Sequence, residues 1–83
     1  MSRRDLAHVM TAIADAARAQ AGVDVPVEAI DEAIGRAPGD MRTPLNLQSL
    51  EEAGLVRATG AGTWSLTEAG VQRMREDREL SDR

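Results

Sequence analysis

Four serines, Ser2, Ser49, Ser65 and Ser81, and one histidine, His8, are the residues from which covalent catalysis would have to be built. A nucleophilic serine needs an adjacent base to take its proton, and a single histidine serves at most one of the four. No motif pairs His8 with any of them. His8 also stands off the apolar stripe of its own helix, and with no cysteine and no second histidine it makes no zinc site. The densest charge cluster is Asp24, Glu28, Asp31 and Glu32. Glu28 and Glu32 fall one helical turn apart, the spacing of a solvated acidic face rather than of a cation site. There is no phosphate-binding glycine loop, no dinucleotide fingerprint and no His-Glu-x-x-His. These residues point away from an enzyme and from any metal or cofactor, and toward a module that works by binding.

The composition sets what can position such a module. A chain of 83 residues is one domain, with a thin core in which each apolar contact counts. Trp64 is the only aromatic residue, so the core must be built from Ala, Leu, Ile, Val and Met, and the chain leans helical. Trp64 and Leu66 are two apart in a strand-like run and share a face, which makes Trp64 a core anchor rather than a stacking platform. Ten arginines and no lysine stand against 14 acids, for a formal charge of −4. That is not the usual footprint of a nucleic-acid binder. The acids are unevenly spread, however: residues 21–35 hold four and no base, while residues 36–60 balance. The absence of cysteine excludes disulfides. The N-terminal run is broken by His8, Asp15 and Arg18, and no stretch approaches the apolar length of a membrane span. The expectation is a cytoplasmic protein with no membrane partner.

Spacing predicts the elements. Ser2 caps a first helix over 3–21, with Asp5 in its first turn, an apolar stripe of Leu6, Val9, Met10, Ile13 and Ala17, and Gly22 as its stop. Val23-Asp24-Val25 reads as a very short strand. Pro26 suits the first turn of a second helix that buries Val27, Ile30, Ala33 and Ile34 and closes at Gly35. Arg36-Ala-Pro-Gly-Asp40 is turn chemistry. A third helix begins between Asp40 and Pro44, with Asp40 or Thr43 as its cap, turns Leu47 and Leu50 inward, and stops at Gly54. Leu55–Ala58 and Thr63–Leu66 form a β-hairpin with a glycine-rich tip. Thr67 caps a last helix through Ala69, Val71 and Met74, and residues 76–83 are expected to fray. The expected core is Leu6, Ile13, Ile30, Leu47, Leu50, Leu55, Trp64 and Leu66.

Two stretches carry a resemblance: Leu47-Gln-Ser-Leu50-Glu-Glu-Ala-Gly54-Leu-Val56, and Trp64-Ser-Leu66-Thr-Glu-Ala-Gly70. Separated by a glycine-tipped hairpin, they resemble the winged helix-turn-helix family of bacterial and archaeal transcriptional regulators over roughly residues 5–75. The resemblance implies an α+β fold: a three-helix core, a C-terminal β-hairpin wing and a final helix, in which Gly70 lets that helix approach its neighbour closely. It also implies DNA binding. The outward side of the third helix, Arg42, Thr43, Asn46, Gln48 and Ser49, would read base edges in the major groove, and Arg57, Thr59 and Thr63 would reach phosphate. With so few arginines nearby, one copy would bind weakly, and a homodimer through the first and last helices would help, with Ala7, Ala14, Ala17 and Ala21 allowing close approach and Val71 and Met74 adding an apolar strip. The alternative is a winged helix used to bind protein. It is motivated by the net charge, the hairpin tip without Arg or Lys, the acidic second helix, and Leu45 and Glu52 on the outward face of the third.

Overall fold

The computed structural model describes residues 3–81, with side chains through Asp77. The proposed cap Ser2 and residues 82–83 lie outside the described residues. The order is α1 (Arg3–Ala16), β1 (Val25–Pro26), α2 (Val27–Ala33), α3 (Arg42–Glu52), β2 (Val56–Gly60), β3 (Thr63–Leu66) and α4 (Glu68–Ser81). The chain is thus α+β, with four helices and a small antiparallel sheet. The hairpin lies mid-chain rather than at the expected C-terminal place, because α4 runs a full 14 residues beyond it, and it does not stand alone. β1 joins the free side of β3, giving the strand order β1-β3-β2, with Val25 opposite Trp64 and Val56 opposite Leu66. A lone hairpin is marginal. Here the third strand and a hydrogen bond from the Val27 N–H to the Gly62 carbonyl (2.8 Å) tie its tip to the start of α2.

The core fills the space between the three N-terminal helices and the sheet. Ile13, Ile30, Leu47, Leu50 and Leu66 are buried as the periodicity predicts, together with Val9, Val25 and Val56, while Leu6, Leu55 and Trp64 pack against them half-covered. Ala33 and Ala69, expected in the buried stripes, are exposed. Ser65 is fully buried on β3 and its hydroxyl finds no hydrogen-bond partner, so it is out of reach as a nucleophile.

Three helix ends show how local rules and tertiary contacts share control. At α2, Gly35 takes φ 75°, its N–H reaches the Glu32 carbonyl, and the Arg36 N–H reaches back to Asp31. This is the paired bonding of a glycine-terminated helix. The same pair of bonds ends α1, Arg18 to Asp15 and Ala19 to Ala14, but here Arg18 occupies the left-handed position at φ 55°. The first helix therefore stops at Ala16, short of the expected Gly22. The physical reason lies downstream: Ala21 bridges to Leu66, and the Gly22 N–H donates to the Leu66 carbonyl at 3.1 Å, so the chain must leave the helix early to reach the sheet.

At the other end of the chain, Thr67 caps α4 as predicted, its Oγ1 accepting the Gly70 N–H at 3.0 Å. The same hydroxyl donates to the Gly54 carbonyl at 2.6 Å, fastening the start of α4 to the end of α3. Gly70 is the close approach: a β-carbon there would collide with the Leu55 carbonyl oxygen. Residues 76–81, expected to fray, continue α4 to Ser81. Arg and Glu are good helix formers, and Arg73 pairs with Asp77 one turn on, at 3.6 Å.

Candidate binding face of the third helix

Helix α3 sorts its residues more strictly than their polarity suggests. Thr43, Asn46, Leu47 and Leu50 are all buried, at the i, i+3, i+4, i+7 spacing of one helical face. Two of the residues expected to read DNA are therefore turned inward. Thr43 is 0% and Asn46 2% exposed.

They are inward because a charged network needs them. Asp31 of α2 is 1% exposed and accepts the Thr43 hydroxyl at 2.5 Å. The Thr43 oxygen in turn accepts from the Arg36 guanidinium at 3.0 Å, and that guanidinium also donates to Asn46 Oδ1 at 2.9 Å. The Arg36 side chain is only 8% exposed and lies 3.7 Å from Asp5 of α1. Buried charges are tolerated only when paired and hydrogen-bonded, and this chain of bonds meets that need across α1, α2 and α3. It ties α2 to α3 and commits the Thr43 hydroxyl and Asn46 Oδ1 inward.

The remaining expected site residues separate. Ser49 lines a groove of about 820 Å³ between α1, α3 and α4, together with Leu6, Met10, Leu55 and Met74, so it faces away from the outer side of α3. Gln48 is exposed. Arg42 is exposed but held: its guanidinium donates to both carboxylate oxygens of Asp40, at 3.1 and 2.7 Å. The Arg42 side chain, and then its backbone N–H at 2.9 Å, hold the Asp40 carboxyl down at about 2, and the same hydrogen bond raises the Arg42 pKa. Asp40 thus accepts the first N–H of α3 from one residue ahead of the cap position, which Met41 holds without a side-chain bond, while Thr43, the other expected cap, lies buried inside the helix. On the hairpin, Arg57 and Thr59 are exposed and Thr63 is half-buried, with the two threonine hydroxyls 3.1 Å apart.

What α3 presents outward is a stripe of Met41, Leu45, Gln48 and Glu52. Met41 is 75% and Leu45 50% exposed, the two large apolar side chains left in solvent among the described residues. Leu45 falls where the sequence put it. Met41 had no sequence signal beyond its place one turn before Leu45. The inward stripe 43-46-47-50, by contrast, was present in the spacing and masked only by the polarity of its first two residues.

Of the residues expected at a homodimer interface, Ala14, Ala17 and Val71 are buried within the chain, Ala7 and Met74 line the groove, and Ala21 is exposed beyond the end of α1. Among the described residues no cluster of side chains suits a metal ion, and no helix is long and apolar enough to cross a membrane. No protein-family model, no curated protein and no solved structure matches this chain.

Proposed function

We propose that this chain is a non-enzymatic, cytoplasmic winged-helix module whose third helix docks a protein. Four helices and a small three-stranded antiparallel sheet, with β1 laid against the hairpin, are compatible with the winged-helix assignment. The observation that carries the protein-docking reading is the exposed pair Met41 and Leu45, on a face from which Thr43 and Asn46 have been withdrawn. Phosphate and base edges reward cations and hydrogen-bonding side chains. This face offers two apolar side chains, a guanidinium already held by Asp40, one amide, Gln48, and the acid Glu52.

DNA binding is the second reading, favoured by exposed Gln48, Arg42 and Arg57 and by the hairpin beyond α3. Fluorescence anisotropy with a DNA duplex, titrated over a range of salt, separates the two. With Arg42 and Arg57 as the phosphate contacts, log K should fall with log salt at a slope of about −2, from an already weak affinity. Tight binding with a slope steeper than about −5, abolished by Arg42→Ala, would overturn protein docking in favour of DNA.

A further inference from the structure

We propose that the Met41–Glu52 face receives a cationic amphipathic helix of a partner protein, one that carries an apolar anchor and a Lys or Arg two turns apart. This rests on the protein-docking reading and adds the chemistry of the partner. Met41 and Leu45 stand one turn apart at the N-terminal end of α3, 75% and 50% exposed, so an apolar side chain must meet them there. From Leu45 the stripe runs through Gln48 to exposed Glu52, seven residues on, which is about 10 Å at 1.5 Å per residue. A helix laid along it complements it with an apolar residue and a base seven positions apart.

The charge of the face follows from which cations have been withdrawn. Arg42 is paired with Asp40 at 2.7 Å, and Arg36 is taken up by Thr43 and Asn46 in the interior. Glu52 is left without a neighbouring free base on α3, while Glu51 accepts the Ala58 N–H. Exposed Glu28 and Glu32 add to the field of a chain whose formal charge is −4. Such a field speeds encounter with cationic partners and repels acidic ones.

The β2 edge, which packs beside α3, disfavours strand addition as the way a partner binds there. β2 is an edge strand, and an open edge invites strand addition. Here the Ala58 N–H is already bonded to Glu51 Oε2 at 3.0 Å, and the β2–β3 register breaks between Ala58 and Gly60. Both features blunt the edge.

The test is an NMR titration of the full chain, labelled with 15N, against three synthetic helical peptides of about 18 residues, long enough to hold helix, and against a random-sequence DNA duplex. The first peptide has a leucine stripe with lysines seven positions on; the second replaces its lysines by glutamate; the third keeps the lysines but scrambles the stripe. The first should shift amides within Met41–Glu52 and bind about tenfold tighter than either control. Leu45→Ala should weaken it about tenfold, the loss of one well-placed apolar anchor, and Glu52→Lys should reverse the preference toward the acidic peptide. Both substitutions fall at exposed positions, and thermal melts confirm that the variants stay folded. Equal binding of the acidic or scrambled peptide at α3 would overturn the cationic partner and leave protein docking standing. Shifts in α3 caused by the duplex, and by no peptide, would overturn both. No response of α3 to any peptide overturns the proposal as well.

Discussion

Replacing Gly70 by alanine puts a methyl group where the Leu55 backbone already is. The new β-carbon would sit 3.1 Å from the Leu55 carbonyl carbon, closer still to its oxygen, and 3.2 Å from Leu66 Cδ2. In an open helix the same change would be favourable by about 1 kcal/mol, because glycine is a poor helix former. Here the obstacle is backbone, and it is fastened: the Leu55 carbonyl accepts the Thr67 N–H at 3.1 Å, and Thr67 holds both Gly54 and Gly70. Relief requires α4 to move off the α3–β2 junction, which breaks one or two of these bonds at about 1 kcal/mol each. It also loosens buried Val71 and half-buried Met74, an overpacking cost of about 1–3 kcal/mol. Against the propensity gain, the net loss should be about 1–4 kcal/mol. For a domain of this size that lowers Tm by roughly 5–30 °C. Urea titration and thermal melts followed by circular dichroism measure it. Ala69→Gly, at the exposed neighbouring position, serves as the control and should cost about 1 kcal/mol. A Gly70→Ala chain as stable as the parent, or more so, would refute the close approach of α4 to Leu55.

Thr43→Val keeps the shape of a buried side chain but removes the hydroxyl between Asp31 and Arg36, and should cost about 2–3 kcal/mol in urea denaturation. Gln48→Ala, on the outward face, should stay within about 0.5 kcal/mol; equal, small effects would contradict the inward placement of Thr43. Arg18→Gly should stabilise by about 0.5–1 kcal/mol, because Arg18 holds a left-handed conformation that costs a side-chain-bearing residue about 1–2 kcal/mol; an unchanged urea midpoint would count against that end of α1. Asp40 titrates at about 2 in the folded chain against an ordinary 3.8. Its contribution is therefore full above pH 4 and lost as the pH falls from about 4 toward 2. Carboxyl 13C shifts should follow that titration, and Arg42→Ala should move it back up toward the ordinary value.

Local chemistry was enough to determine most elements of this chain. Helical spacing placed Ile13, Ile30, Leu47 and Leu50 in one core, alternation placed Leu66 on the inner face of a hairpin, and Thr67 and Gly35 marked helix boundaries they do occupy. These features depend on neighbours within a few residues, which a sequence displays directly.

Only the tertiary structure decided where α1 ends and which side of α3 faces solvent. Nothing near residue 18 forces a left-handed turn; the demand comes from Leu66, to which Ala21 and Gly22 must bond. Thr43 and Asn46 are polar, and polarity argued for solvent, but Asp31 and Arg36 arrive from elsewhere in the chain as buried charges that need their oxygens. Burial turned two expected contact residues into structural ones, and in the same rotation of the helix left Met41 and Leu45 outside. A sequence shows which side chains can hydrogen-bond. Which of them are claimed by a partner far away in the chain, and which apolar ones are left over, is settled only when the helices pack.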